Sequence, residues 1–500
     1  MYKKTYQALI GIILLALLLR LVGLFSRPIW YDEAFSILFA SKGFSAMLYG
    51  TITPGAGGAA DIHPLGYYTL LWGWINLFGN SVTATRIFSI LINLLTLVLV
   101  FKIADHLFDN KTALVAAFLF AVLPVQIHYA QEVRMYALLS FWLLLATYAF
   151  LRARTGNWLW WIPFSISSAL AQHTHNLAAF FLVPLALTPL FQKDWKTLRS
   201  LTISGLAALG LYAPWMILLP SQLAKVNSFY WVERPGLERL FTLLLFYLPH
   251  LPLFEVMLAI GLLCALLLFA LAGFQTYLAH KSSQPSIRKG LWTAYLSFAP
   301  PLLLWLSSQI FPIYIERALL PSQAIFCIWL AWAFTQTRAP KFIQISVAIM
   351  IGICSVLGIY EHNIYKGFPY GDFHAINLSL QSRIQSGDII LHSNKLSYLP
   401  AFYFDPDIPQ SFIIDPVGSS GDTLAPATRN VLQVHEFADL ESATAGAKRV
   451  WFIIYQKSLD EYAEADLTHP HLDYLNKNYT LDSIEELDDI RLYLYVEKVP

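Results

Sequence analysis

The chain has 500 residues, of which 57% are hydrophobic and 13% charged, with a formal net charge of +1. Soluble globular domains carry about 25% charged residues. That shortfall, with apolar runs such as 11–19 and 258–272, excludes a water-soluble core and makes lipid the solvent.

The N-terminus carries Lys3 and Lys4 and then an apolar stretch. At about 19 residues it is long for a signal h-region, and no clean small-residue cleavage site follows it. It reads as an uncleaved first span over residues 6–25. Arg20 is the main charge inside a span and is expected to snorkel outward. The chain to about residue 81 is polar and punctuated by Gly and Pro. Its apolar stretch 64–79 is too short to cross and reads as an interfacial or re-entrant helix, rich in Tyr67, Tyr68, Trp72 and Trp74. Residues 241–250 read the same way.

A second span covers residues 82–104. Basic residues in short loops favour the cytoplasmic side. Lys102 and Lys111 therefore mark one inner turn, and Arg152 with Arg154 the next. Lys193, Lys196 and Arg199 mark another, followed by Lys281, Arg288 and Lys289, then Arg338 and Lys341. This threading gives about eleven spans and leaves the C-terminal part outside. Cys264, Cys327 and Cys354 all lie in apolar runs, so no disulfide framework or CxxC metal motif is available.

Spanning runs stop near Tyr360. Residues 361–500 hold 21 of the 32 acidic residues but only 10 of the 33 basic ones. Two domains are expected: a transmembrane catalytic domain over 1–360 and an extracytoplasmic α/β domain over 361–500. In the tail, β-rich runs lie at 388–392, 411–414, 449–455 and 491–496, with helical patterns at 373–384 and 435–445 and Gly/Pro/Asp turns between.

The threading rests on basic residues, yet it gathers the unusual polar clusters on the opposite, outer face. These are Trp30-Tyr31-Asp32-Glu33, Asp61-Ile62-His63-Pro64, the run from Tyr129 through Glu132 and Arg134 to Tyr136, His173-Thr174-His175-Asn176, and Glu316-Arg317. Any one of them could be a solvated loop. Five on one face, several mixing acid with base, point to a functional site. Asp32 and Glu33 also suit a helix N-terminus. Adjacent helical residues point about 100° apart, so one acid can act while the other holds a partner.

In order and spacing, residues 1–340 resemble the GT-C glycosyltransferases. The motifs are the first-loop acidic pair, then Asp61-x-His63-Pro64 with Tyr67-Tyr68, then Tyr129-Ala130-Gln131-Glu132-x-Arg134-x-Tyr136-Ala137. The nearest group looks like the bacterial branch of the dolichyl-phosphate-mannose protein mannosyltransferases (glycosyltransferase family 39), which also contains the lipid A aminoarabinose transferases. The chain departs from that pattern at His63-Pro64-Leu65 and Arg317-Ala318-Leu319, where members often have His-Pro-Pro and Arg-Tyr-Leu.

The resemblance implies a polytopic α-helical fold with interfacial helices and transfer of a sugar from a polyprenyl-phosphate donor, with inversion. The acceptor would be a glycan, a lipid or a protein; the partners include membrane lipid and no nucleic acid. It places the general base at Asp32 with Glu33 in support. The leaving phosphate is a stable anion that needs positive charge rather than an acid. Arg134 is the first candidate for that, because a guanidinium can grip two phosphate oxygens; His63 and Arg317 come second. Asp61, Glu132, His175 and Tyr136 are further site candidates, and Arg86 reads as an ion-pair residue. Asp61, His63, Glu132, His173 and His175 include metal-ligand types, so a divalent metal stays open and no cofactor is required. The location is the cell membrane, with site and tail outside. The alternatives are a transporter or flippase, or an O-antigen ligase or polymerase type of enzyme. No internal repeat or midplane charge favours a transporter.

Overall fold

The computed structural model describes residues 2–53, 63–229, 232–336, 340–415 and 424–498. Asp61 lies outside them. In lipid the backbone must satisfy its own hydrogen bonds, and the described residues between 2 and 364 are accordingly mostly helix. The first half contains α1 (Tyr2–Leu21), α2 (Tyr31–Ser41), α3 (Phe44–Ile52), α4 (Gly66–Phe78), α5 (Val82–Leu107), α6 (Asn110–Val122), α7 (Pro124–Ala130) and α8 (Tyr136–Arg154). There follow α9 (Trp161–Thr174), α10 (Ala179–Phe191), α11 (Trp195–Met216), α12 (Leu219–Phe229), α13 (Glu238–Tyr247), α14 (Glu255–Lys281), α15 (Ile287–Ser308), α16 (Leu320–Thr335) and α17 (Lys341–Ile364).

Among the described residues, six helices are long and apolar enough to cross a membrane: α1, α5, α8, α14, α17, and α16 taken together with the 3-10 turn Glu316–Leu319 that leads into it. The α6–α7 pair, bent by 60°, makes a seventh if it is one broken span. Reaching about eleven crossings requires α9, α10, α11 and α15 as well. The chain is an integral membrane protein. α4 has 13 residues, roughly 20 Å of helix, short of the ~30 Å hydrocarbon layer. α13 has 10 residues and is shorter still.

Arg20 does not snorkel. It is fully buried and spends its donors on Asn93 and on three backbone carbonyls. It sits on the inward side of α1, whereas Ile10, Leu14 and Leu18 face out.

The tail forms one six-stranded mixed sheet. Its strands are β1 (Ile389–His392), β2 (Gln410–Ile413), β3 (Glu436–Phe437), β4 (Arg449–Tyr455), β5 (Tyr479–Leu487) and β6 (Ile490–Glu497), in the order β3-β2-β1-β4-β6-β5. The first four run parallel, and β4, β6 and β5 pair antiparallel. All four expected strands are present; β5 and β3 were not expected. β5 is the exposed edge, and its Asp482, Glu485 and Glu486 lower strand propensity while blocking edge pairing. The helical pattern at 435–445 divides into β3 and a short helix.

The tail helices include α18 (Phe373–Arg383), α19 (Lys395–Phe404) and α20 (Pro426–Leu432); α18 packs on α19, and the other two fix the seat. α19 packs on α2 and α20 on α3. Tyr398, Leu399, Phe412 and Leu432 share one apolar core with the helical part. Thr428 donates to Gly50 O at 3.2 Å and Tyr403 to Asn80 O at 2.9 Å.

Candidate active site

α2 begins at Tyr31, with Asp32 and Glu33 in its first turn, where acids meet the positive end of the helix dipole. The two carboxylates diverge as the helical repeat requires. Glu33 turns inward to α5. Arg86 grips both its oxygens at 2.9 and 2.8 Å, and the Val133 N–H donates to Oε1 at 3.1 Å. The remaining Arg86 donors reach the carbonyls of Leu24, Arg27 and Pro28. Both side chains are 1% exposed. This assembly ties α2, α5, the loop after α1 and the loop before α8 together.

Asp32 turns the other way and keeps 15% exposure. Its Oδ2 lies 3.1 Å from Arg317 Nη1 and 3.4 Å from Arg134 Nε. Both arginines meet Oδ2 as ion pairs and not as hydrogen bonds, and among the described residues Oδ1 has neither. Arg134 also donates to Ser36 Oγ at 3.2 Å, and Ser36 donates to the Asp32 carbonyl at 2.7 Å. The Arg317 guanidinium lies between the rings of Trp30, at 5.4 Å, and Tyr136, at 5.1 Å. This cation–π pairing fixes the plane of the fork.

His175 follows the end of α9, with its ring 5.9 Å from that of Tyr136 and 5.0 Å from that of His63. Gly66 allows this approach: a Cβ there would lie 2.5 Å from the His173 carbonyl. His175 Nδ1 accepts from the Leu177 N–H, so Nε2 carries the proton. Among the described residues Nε2 has no hydrogen-bond partner. Burial holds this imidazole well below its usual pKa. Asp32, Arg134, Arg317, Tyr136, His175 and His63 therefore form one chain of neighbours. His173 leaves it, bonding Leu211 O and packing on Tyr212.

Glu132 also leaves it and joins a second cluster. Its Oε1 meets His128 Nε2 at 3.2 Å, and His128 Nδ1 meets His362 Nδ1 at 3.1 Å. His250, Arg27 and Tyr370 complete the surroundings. Burial raises the Glu132 carboxyl to about 7, opposed by the positive charges of Arg27 and Arg317. Sequence reasoning missed Ser36, Arg27, His250, His362 and Tyr370. The signals were a His250 set between Pro249 and Pro252, and a polar Glu361-His362-Asn363 step at the end of the last span. Among the described residues no group of three His, Cys, Asp or Glu is placed to hold an ion; the candidate ligand Asp61 lies outside them.

A family model for dolichyl-phosphate-mannose-protein mannosyltransferases matches residues 62–218. A search of curated proteins by sequence finds no match. Among solved structures, ArnT from Cupriavidus metallidurans superposes with a TM-score of 0.64 at 12% identity, covering 97% of each chain. Its undecaprenyl-phosphate-bound form gives 0.63 at 13%, with the same coverage. The Archaeoglobus fulgidus oligosaccharyltransferase with Zn and sulfate gives 0.53 at 14%, covering 95% of this chain and 72% of that one.

The chain has the GT-C glycosyltransferase fold. α2, with Asp32 and Glu33, and the loop from Gln131 to Met135, with Glu132 and Arg134, bring acidic and basic side chains together at one end of the helical bundle. The tail sheet domain sits against that same end through α2 and α3.

Proposed function

We propose that this protein transfers a sugar from a polyprenyl-phosphate donor to an acceptor hydroxyl, with inversion at the anomeric carbon. The observation that carries the reading is Asp32, whose Oδ2 is held by two arginines while Oδ1 is left to take a proton. As the acceptor hydroxyl attacks the anomeric carbon, its proton passes to Oδ1 and the sugar–phosphate bond breaks. The electron pair of that bond leaves on the lipid phosphate. Arg134 and Arg317 stand where this charge gathers, with Arg134 as the main grip and His63 as a neighbouring donor. Glu33 is a positioning residue, because Arg86 already occupies both its oxygens. Tyr136 and His175 line the same chain of neighbours.

The family match and the undecaprenyl phosphate bound by ArnT support a long-chain polyprenyl phosphate as the leaving group. Basic residues at the opposite helix ends support eleven crossings, with Asp32 and residues 361–500 outside the cytoplasm in the cell membrane. On this reading residues 1–360 are the catalytic domain and 361–500 the outer α/β domain. Single cysteines at residues 285 and 457, in a background without the three native ones, should label oppositely in intact cells with an impermeant reagent. Equal labelling would overturn the orientation.

The catalytic test is Asp32→Asn, nearly isosteric but unable to take a proton. General-base contributions are about 10²–10⁴-fold. Turnover of a polyprenyl-phosphate sugar should fall in that range while undecaprenyl phosphate binding and thermal stability hold. A folded variant with wild-type turnover would remove Asp32 from the role.

A further inference from the structure

A transmembrane helix broken by proline leaves carbonyls without partners, and in lipid something must satisfy them. The α6–α7 break is such a place. Pro124 has no N–H for Phe120 O, and the Gln126 amide turns instead to Leu123 O at 3.1 Å. The Phe120 and Ala121 carbonyls are taken by Arg20, which donates to them at 3.4 and 3.0 Å. Arg20 also bonds Ala16 O on its own helix at 3.0 Å and Asn93 Oδ1 at 2.8 Å. Asn93 in turn bonds Gln126 at 3.0 Å, and Gln126 bonds Gln323 at 2.7 Å.

The other end of α7 returns to the same turn of α1. Gln131 donates to the carbonyls of Arg20 and Val22 at 2.8 and 2.7 Å. One turn of α1 therefore clasps α7 at both ends. Beyond Gln131 the chain runs directly into Val133, whose amide holds Glu33, and Arg134, which reaches Asp32.

We propose that Arg20 is a positioning residue for Arg134: by replacing the hydrogen bonds lost at Pro124, it sets the angle of the break and so the place of the Gln131–Met135 loop. The proposal rests on the reading that Arg134 grips the donor phosphate. Arg20 touches no substrate. Its charge spreads over two carbonyl oxygens at the break, one on α1 and the Asn93 side chain on α5, and any slackening there moves the loop one short helix away.

The test uses full-length protein in detergent, with undecaprenyl phosphate as the probe, measuring lipid affinity and melting temperature together. Arg20→Met should lower both, with affinity falling on the order of tenfold. Arg20→Lys, which keeps some carbonyl bonds, should fall between Met and wild type. Adding Pro124→Ala to Arg20→Met returns a backbone N–H to the break. It should restore the melting temperature but not the affinity, because the helix is mended while the loop is aimed elsewhere. Gln131→Leu cuts the other end of the clasp without removing a charge, and also gives up the 2.6 Å bond between Gln131 Oε1 and His362 Nε2; it should weaken binding and lower the melting temperature as well.

Recovery of both properties in Arg20→Met/Pro124→Ala would make Arg20 a stabilising plug only and overturn the proposal. Wild-type binding by Gln131→Leu would overturn it too, and that variant decides the matter if the Arg20 variants do not fold. Arg134→Ala separates the two ideas. If it binds the lipid as wild type does, the phosphate-grip reading fails. If it loses binding while the clasp variants keep theirs, only the clasp fails.

Discussion

Asp32 and Glu33 are neighbours in sequence, yet they sit in opposite kinds of ionic assembly. Glu33 and Arg86 are sealed, bidentate and backed by backbone carbonyls and an amide. Asp32 shares one oxygen between two arginines at longer range and remains open. A sealed pair has no free lone pair to give a substrate, so it holds structure. On the proposed mechanism, an open carboxylate with two cations around one oxygen keeps the other oxygen for the acceptor's proton and has both guanidinium groups close by for a phosphate. On that proposed mechanism the two acids divide the work between holding and reacting.

The largest test of this contrast is at the sealed pair. Arg86→Ala would strand a buried carboxylate, which costs about 3–5 kcal/mol. A drop in melting temperature should dominate its phenotype, in contrast to Asp32→Asn, where turnover falls and stability holds. If Arg86→Ala melts like wild type, the sealed assembly is not a keystone.

A smaller effect is expected at Glu132, a third buried carboxylate with a histidine rather than a bidentate arginine beside it. Its folded pKa, about 7, lies above the ordinary 4.5. The folded state therefore binds the extra proton between those values, and stability contributed by protonated Glu132 is lost as pH rises from about 4.5 through 7. At 1.36 kcal/mol per unit this is at most about 3 kcal/mol. The groups facing it are His128, His250, His362, Arg27, Arg317, Asp32 and Glu33. The melting temperature of wild type relative to Glu132→Gln should fall across that window. A constant difference would show that Glu132 stays ionised.

The smallest effect concerns the open pair. Arg134→Lys keeps the charge but loses the fork, and should weaken undecaprenyl phosphate binding roughly tenfold. Unchanged affinity would shift the grip to Arg317.

The apolar runs made the helices readable. α5, α8, α14 and α17 fall where lipid-soluble stretches end in basic residues, and both signals are local. The tail strands β1, β2, β4 and β6 were readable for a similar reason, since their apolar side chains are contiguous. β5 was not, because an edge strand needs charge that a buried strand lacks. Of the site, Asp32, Arg134, Arg317, Tyr136, His175 and His63 were singled out by residue type at outer span ends, and the structure brings them together. Asp61 lies outside the described residues.

The sequence by itself determined that the chain is a membrane helical protein with a soluble sheet domain, and which end gathers its acids and bases. Hydrophobicity and charge act residue by residue, so their pattern survives in one dimension. Only the tertiary structure decided that Glu33 is sealed and Asp32 open, that Glu132 belongs with three histidines, and that Arg20 is buried at a proline break. Each of those outcomes depends on a partner 53 to 285 residues away, from Glu33–Arg86 to Asp32–Arg317. A residue's type says that it needs a partner, but only the path of distant helices says which one it meets.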